Sequence, residues 1–553
     1  MKKTKKIMSV LLAATLGVSA LAGCKSKAKD ELEAEFGDRT NKVNVVYTSN
    51  AYGREWITEV AKSYMEKHNS DTFIQLTQTL TPGEEASKIK SGISSGDLYM
   101  LDLHVEDLMD SLVDVNDVWD SYAIGEENSE NKKKIKEKLS PIFANTADPG
   151  NTRKYIMPYQ GATAGYGMVY NKTVLDEAFP NGYTLPRTTD EWFAMGDALK
   201  GVNLASVDDD KRDDAGRDVY LLVCSFGDGN EYLQYTLAPW FAQIIGYENF
   251  AQYGEGRYWN GEAYVFDETK PTVYEEYKDE LIAYQDIVRK LQTKSNGYVY
   301  ADSEAVDYQY ASRVVGGKGY RQNQSRAAFK VDACYFEQES GAHIAKGTEM
   351  GICKLPVASA MINRLSTVND DATLCAVIDY VDGVTTEKPA GVSDDDILAV
   401  AEARGMVGVY LGGGMMIPKA AKNAAGAKDF MRYLASDEAA IVAAKAMGGM
   451  ELLPYGKMVT DEELGFTRSN FLRNVSKWAT MNKTLINGDN FGFAYHADFQ
   501  IGTTDNTRLK NIFTGAYNKT ATEWYQANYN EYKDKWQTMV TDYKKAGGNT
   551  ANN

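Results

Sequence analysis

The chain has 553 residues, of which 43% are hydrophobic, and its 77 acidic against 60 basic side chains give a formal net charge of −17. A chain of this length exceeds one typical domain and is expected to form two or more. The acidic balance argues against a nucleic-acid-binding protein and against a basic surface that binds anionic lipid.

The N-terminus has the pattern of an export signal. Four lysines precede an apolar run of small residues, Ser9–Ala22, which is too short to span a membrane as a mature helix. The run ends in Leu-Ala-Gly-Cys, which resembles a bacterial lipobox. We therefore expect 1–24 to be a lipoprotein signal peptide, Cys24 to carry the lipid, and 25–39 to be a flexible tether. An ordinary signal peptide with an incidental cysteine is the alternative. Removing the four lysines takes the formal charge from −17 to −21.

The cysteines that remain after lipidation are Cys224, Cys334, Cys353 and Cys375. They have neither C-x-x-C spacing nor neighbouring histidine pairs, so neither a zinc site nor any other cofactor is expected. Buried thiols are the favoured interpretation, although the sequence leaves open whether they pair in an exported protein.

The first ordered region alternates strands and helices. Val43–Tyr47 has strand length, a helical face follows at 56–65, Thr72–Thr77 alternates, and a second helix over 84–95 precedes a strand at 98–103. This order predicts a parallel sheet that binds ligands at the carboxyl ends of its strands. The polar side chains at those ends are Ser49, Asn50, Tyr52 and His104.

The later elements are a strand that runs through Tyr159 and Gln160, a helix opened by the capping box Thr188-x-x-Glu191, and helices within 232–245 and 274–291. Strands are predicted at 327–336 and 350–356, and the less regular stretch 360–405 is taken as an insertion. A final long helix carries an aromatic stripe that is expected to pack against the body: Tyr525, Tyr529, Tyr532, Trp536, Met539 and Tyr543.

Four stretches in this order resemble the family 1 extracellular solute-binding proteins, the group that contains maltose-binding proteins. They are 88–97, which ends in Gly-Asp; 158–192, with Tyr170-Asn171-Lys172; 327–329 with 351–356, which ends in Leu-Pro; and 412–419 with 429–439. Together they span most of the mature chain, and their order makes the resemblance specific.

The resemblance implies an α/β fold of the periplasmic-binding-protein type, with two hinge-connected lobes and a central ligand cleft. Lobe one is predicted to comprise 40–159 and 357–452, and lobe two 160–356 and 453–545. It further implies a binding protein rather than an enzyme, held by its lipid on the extracytoplasmic face of the bacterial cell membrane. Its partners would be a carbohydrate, with an oligosaccharide favoured, and the permease subunits of an ABC importer.

A sugar has apolar C–H faces and a ring of hydroxyl groups, so its site requires aromatic platforms and fixed hydrogen-bonding groups. The predicted platforms are Tyr52, Tyr159, Tyr166, Trp240 and Tyr335. The predicted polar groups are Ser49, Asn50, His104, Gln160 and Glu337. Trp240 lies on an apolar helical pattern and is equally compatible with a core position.

Other functions stay open at this point. Gly92-Ile93-Ser94-Ser95-Gly96 matches the G-x-S-x-G nucleophile pattern, but here a helix precedes and a strand follows, the reverse of what a nucleophile elbow needs. A glycosidase needs two placed carboxylates, which the sequence does not identify. A peptide-binding or surface glycan-active protein on the same scaffold is the alternative. The acidic stretch 208–218 is interpreted as a solvated loop rather than a calcium site.

Overall fold

The structure is a computed structural model, and it describes 27–49, 52–101, 106–130, 132–140, 143, 152–159, 165–204, 217–227, 232–292, 296–319, 325–408, 414–455, 457–479, 484–486, 493–494, 519–545 and 547–552. The signal peptide, Cys24, Asn50, His104, Gln160 and most of the acidic loop at 208–218 lie outside these residues. Among the described residues, no helix is both long enough and apolar enough to cross a membrane.

The strands, in chain order, are β1 (Asn41–Tyr47), β2 (Thr72–Gln78), β3 (Leu98–Leu101), β4 (Ile156–Met157), β5 (Tyr166–Asn171), β6 (Asn203–Leu204), β7 (Arg217–Leu222), β8 (Arg257–Trp259), β9 (Tyr264–Phe266), β10 (Arg326–Ala333), β11 (Met350–Cys353), β12 (Met406–Gly408), β13 (Gly414–Met416) and β14 (Thr484–Ile486).

The helices are α1 (Lys27–Phe36), α2 (Glu55–Lys67), α3 (Pro82–Lys90), α4 (Asn116–Trp119), α5 (Ile135–Lys138), α6 (Lys172–Ala178), α7 (Thr189–Leu199), α8 (Gln234–Ile245), α9 (Tyr247–Gly254), α10 (Thr272–Glu276), α11 (Lys278–Lys290), α12 (Tyr308–Val315), α13 (Phe336–Ser340), α14 (Asp371–Val381), α15 (Asp394–Gly405), α16 (Ala424–Leu434), α17 (Asp437–Ala446), α18 (Asp461–Leu464), α19 (Asn470–Ala479) and α20 (Ala521–Lys545).

The chain forms two compact units, each built from two separate stretches. Unit 1 comprises 1–163 and 411–472, and unit 2 comprises 164–410 and 473–553. The predicted lobes differ from these units mainly at 453–472, which was predicted in lobe two and belongs to unit 1, and at 357–410, which was predicted in lobe one and belongs to unit 2. The physical reason is that Val357 pairs with Thr188, and Gln243 of α8 donates to the carbonyl oxygen of Ala403.

Unit 1 is built on a five-stranded sheet in the order β2-β1-β3-β13-β4. β1 is parallel to β2 and β3, whereas β13 is antiparallel to β3 and β4. The predicted parallel β-α-β-α-β start of the chain is therefore confirmed. Because α3 ends at Lys90 before β3 begins, Ser94 is not on a nucleophile elbow. Helix α1 occupies most of the stretch predicted as a flexible tether, since its Leu32 and Phe36 are buried against the unit.

Asp97 joins two distant stretches of unit 1. It is buried, and its carboxylate accepts the backbone N–H of Asn44 at 2.9 Å, of Lys422 at 2.9 Å and of Asn423 at 2.8 Å. The Asn423 side chain in turn accepts the N–H of Gly426 at the start of α16. One carboxylate thus fixes β1 and the helix start that follows β13.

Asp97→Asn is expected to lower the free energy of unfolding by about 1–2 kcal/mol, because an amide nitrogen replaces one acceptor and leaves a buried N–H unmatched. Urea unfolding of the two proteins measures the difference. Asp71→Asn, an exposed change in the same unit, is the control and should stay within about 0.5 kcal/mol. Equal losses in both variants would contradict the role of Asp97.

Unit 2 contains a five-stranded sheet in the order β11-β5-β10-β7-β6, in which β5 is antiparallel to β10 and β11 and β10 is parallel to β7. Thr188 accepts the N–H of Glu191 at the start of α7, as the capping box predicts. The aromatic stripe of α20 packs into the core of this unit, which confirms that prediction: Tyr525, Tyr532, Trp536, Met539 and Tyr543 are buried there.

The stretch 360–405, predicted to be irregular, contains the helices α14 and α15. Each helix has a capping side chain, Asp370 and Ser393, and the two share a small apolar core that includes Val377 and Val400. The Asp-Gly and Lys-Pro pairs at 382–383 and 388–389, which make the sequence look less regular, fall in the connection between these helices. The stretch is a folded helical layer of unit 2.

Candidate functional site

The carboxyl edge of the unit 1 sheet brings two predicted site residues together. Ser49 follows β1, and its hydroxyl oxygen accepts a hydrogen bond from Gln78 at the end of β2, at 2.7 Å. The backbone N–H of Tyr52 donates to the carbonyl oxygen of Ser49 at 3.1 Å. Ser49 and Tyr52 are both half-buried. A cavity of about 220 Å³ adjoins this edge and is lined by Tyr47, Arg54, Gln78 and further residues of α1 and β2.

Tyr159, predicted to line the binding site, is instead a core residue of unit 1. Its side chain is fully buried, and its hydroxyl donates to the carbonyl oxygen of Met100 at 3.2 Å. Its ring is nearly parallel to that of Trp56, with centroids 6.4 Å apart. The local sequence does not reveal that Trp56 covers its ring.

Four tyrosines assemble at one edge of the unit 2 sheet: Tyr166, Tyr232, Tyr235 and Tyr335. We call them the tyrosine cluster. Tyr166 opens β5 and pairs with Ala333 at the carboxyl end of β10. The chain reaches Tyr335 two residues later, so the two hydroxyl oxygens lie 2.9 Å apart. Because β7 and β10 are parallel, this is the strand-end edge at which α/β sheets bind ligands.

The rings of the cluster are stacked. The Tyr166 and Tyr235 rings lie 3.8 Å apart between centroids and 8° from parallel, and Tyr232 meets Tyr166 edge-on at 5.3 Å. Tyr166 is buried, whereas Tyr232, Tyr235 and Tyr335 are half-buried. Burial raises the pKa of Tyr166 well above its usual value, so its hydroxyl keeps its proton. The cluster is therefore a firmly held aromatic surface, and Tyr232, Tyr235 and Tyr335 are its partly exposed members.

A charged group adjoins the cluster. The Lys330 ammonium lies 5.1 Å from the Tyr232 ring centroid and 4.2 Å from that of Tyr308, and it is paired with the buried Asp332. The Tyr308 hydroxyl donates to Glu339 at 2.6 Å. Burial, reinforced by the Asp332 carboxylate, raises the pKa of Glu339 to about 7. The cluster therefore lies beside a carboxyl group whose charge changes near neutral pH.

Trp240, the remaining predicted platform, lies in the core of unit 2. It is fully buried, its indole N–H donates to the carbonyl oxygen of Pro356 at 3.0 Å, and its ring packs 6.0 Å from that of Trp192. The prediction that it binds ligand is wrong, and its apolar helical pattern is the correct signal. Glu337 is half-buried on α13, the helix that follows Tyr335.

Sequence reasoning missed Tyr232 and Tyr235. Tyr235 lies in the first turn of α8, and Tyr232 lies in the turn just before it, where its carbonyl oxygen accepts the backbone N–H of Tyr235 at 3.0 Å. The three-residue spacing is visible in the sequence, but only the structure shows that Tyr166 packs against both rings. Among the described residues, no group of three His, Cys, Asp or Glu side chains is placed to hold a metal ion. Cys224, Cys334 and Cys375 are buried thiols, and Cys353 is a half-buried thiol.

Comparison with known proteins finds no matching protein-family profile and no matching curated sequence. Solved structures do match. The apo form of RafE from Streptococcus pneumoniae matches with a TM-score of 0.53 and 15% identity, over 91% of this chain and 99% of that one. RafE in complex with raffinose matches with a TM-score of 0.50 and 15% identity, over 89% and 100% of the two chains.

The bacterial solute receptor AcbH, described as having an exclusive preference for β-D-galactopyranose, matches with a TM-score of 0.51 and 14% identity, over 90% of this chain and 98% of that one. These similarities extend over nearly the whole of each receptor. They confirm the predicted α/β fold, that of two-lobed solute-binding proteins.

Proposed function

We propose that this chain is an extracytoplasmic receptor that captures a carbohydrate, with an oligosaccharide favoured, and delivers it to an ABC importer. The observation that carries the proposal is the tyrosine cluster at the strand-end edge of unit 2. Its support is the fold shared with RafE, which has been solved with raffinose, and with AcbH, which prefers β-D-galactopyranose. A receptor of this kind is a binding protein and not an enzyme.

The chemistry of the cluster suits a sugar. Aromatic faces pack against the C–H surface of a pyranose ring, and the tyrosine hydroxyls give its hydroxyl groups donors and acceptors at the same edge. Stacking of Tyr235 on Tyr166 fixes the platform before ligand arrives, which reduces the entropy lost on binding. Ser49 and Tyr52, at the carboxyl edge of the unit 1 sheet, are proposed as ligand contacts from their place after β1.

The proposal predicts that a glycan raises the melting temperature of the mature protein in a thermal-shift screen, because a ligand that binds only the folded state stabilises it. Calorimetry with that glycan should then show that Tyr235→Ala weakens binding about tenfold, equivalent to about 1.4 kcal/mol. Tyr310→Ala removes an exposed tyrosine of the same unit outside the cluster and is the matched control.

The screen includes peptides and an assay for sugar release. Stabilisation by peptides and by no glycan would overturn the ligand class and favour a peptide receptor on the same scaffold. Release of shorter sugars from an oligosaccharide would favour an enzyme. Equal losses of affinity in Tyr235→Ala and Tyr310→Ala would remove the tyrosine cluster from the site while leaving the ligand class in place.

The membrane attachment is proposed from the sequence alone. Lipid on Cys24 would hold the receptor beside its importer after the signal peptide is removed. Cys24→Ala is expected to release the protein from the membrane fraction of a producing bacterium, and mass spectrometry of the native N-terminus should find a lipid-modified cysteine. An unmodified Cys24 would leave an ordinary secreted protein.

A further inference from the structure

Unit 2 has a second concave site, and none of its lining residues belongs to the tyrosine cluster. The hairpin β8–β9, the helices α9 and α10 and the residue that follows α10 border an open cavity of about 440 Å³. We call it the hairpin site, and it is lined by Glu248, Asn249, Trp259, Tyr264, Glu276 and Tyr277. Three aromatic rings and two carboxylates in one cavity are a combination that the proposed receptor function does not use.

The aromatic wall is held in place. The Trp259 and Tyr264 rings meet at 64° with centroids 5.1 Å apart. The Asn249 side-chain oxygen accepts hydrogen bonds from the hydroxyl of Tyr264 at 2.7 Å and from that of Tyr277 at 3.2 Å. The Asn249 amide nitrogen donates to the carbonyl oxygen of Ile245, which fixes the amide. Asn249 thus orients both tyrosines and accepts the hydrogen bonds that their hydroxyl groups donate.

The charge of the hairpin site is uncompensated. Glu248 and Glu276 are exposed, and neither forms an ion pair with a described residue. No lysine or arginine lines the cavity among the residues that the structure describes. Trp259 is 48% exposed, so a large indole surface faces solvent beside two negative charges. Such an arrangement attracts a cation and offers it ring faces.

We infer that the hairpin site binds a small organic cation, an alkylated ammonium group held over Trp259 and the two tyrosines and neutralised by Glu248 and Glu276. A sugar fits this site less well. Its hydroxyl groups would find the hydroxyl protons of Tyr264 and Tyr277 already engaged by Asn249, so the lining would offer them mainly acceptors beside the Trp259 indole N–H. A methylated ammonium ion needs no donors, because its attraction is to ring faces and carboxylates.

The test titrates choline, the probe, with the mature protein and monitors binding by ligand-observed NMR. Choline is expected to bind saturably, and its neutral carbon analogue, dimethylbutanol, at least tenfold more weakly, because the analogue has the same shape without the charge. Trp259→Leu should weaken choline binding at least fivefold, as should the double variant Glu248→Gln/Glu276→Gln. Raising the salt concentration should weaken binding of the wild type.

The matched control is Glu262→Gln, an exposed change on the turn of the same hairpin, which should leave choline binding unchanged. Absence of saturable choline binding would overturn the inference. Equal binding of choline and dimethylbutanol would also overturn it, since the site would then select apolar bulk. So would competition by glycans at this site. Because glycan capture is measured at the tyrosine cluster, failure here leaves the proposed function standing, and the reverse also holds.

Discussion

Trp240→Ala is expected to lower the free energy of unfolding of unit 2 by about 3–5 kcal/mol, the largest single effect among the changes considered. The indole is fully buried, and its removal leaves a cavity beside Trp192 and an unmatched carbonyl oxygen at Pro356. Urea unfolding monitored by far-UV circular dichroism measures the loss.

The matched control for this prediction is Trp259→Ala, the same substitution at an exposed position of the same unit, for which a change within about 1 kcal/mol is expected. A second variant, Trp240→Phe, retains an aromatic ring and should bind a captured glycan with affinity within twofold of the wild type. A selective loss of glycan affinity in Trp240→Phe, with stability preserved, would return Trp240 to the binding site and contradict its core role.

Glu339→Gln is expected to make unit 2 more stable than the wild type above pH 7. The pKa of Glu339 is raised from its ordinary 4.5 to about 7 by burial and by Asp332. Between these two pH values the folded protein therefore holds a proton that the unfolded chain has released. Stability from this group is therefore complete below pH 4.5 and is lost as the pH rises through 7. The shift corresponds to on the order of 3 kcal/mol.

Glutamine cannot ionise, yet its carbonyl oxygen can still accept the Tyr308 hydroxyl, so the variant should lack this pH dependence. The measurement is the difference in unfolding free energy between the two proteins at pH 5 and at pH 8, which cancels groups that titrate equally in both. Glu262→Gln, an exposed change of the same charge, controls for net charge. A difference that is the same at both pH values would show that Glu339 does not titrate in this range.

Much of the fold follows from local patterns in the sequence. Alternation and short apolar runs locate β1, β2 and β3, the Thr188 capping box locates α7, and the 3–4 spacing of Tyr525 to Tyr543 identifies the buried face of α20. These features depend on neighbours a few residues away, and short-range periodicity reports such neighbours directly.

The candidate site was predicted less well because its geometry depends on pairings between distant residues. Tyr166 and Tyr335 were both predicted as aromatic platforms, but Tyr235 joins them only through the packing of α8 against β5. Tyr159 and Trp240 were misassigned for the same reason. An aromatic residue near a strand end or on an apolar helix can be covered by a partner such as Trp56 or Trp192, which the local sequence does not identify.

The order of strands in unit 1 has a consequence for how the protein is made. β13 lies between β3 and β4 in the sheet, although more than 250 residues separate it from β4 along the chain. The unit 1 sheet therefore cannot be completed until Met416 has been synthesised. The core of unit 2 likewise cannot be completed until α20, which ends at Lys545, has been synthesised. Delayed closure of long-range contacts slows folding. A nascent chain with this topology therefore carries an incomplete unit 1 sheet until β13 has been synthesised.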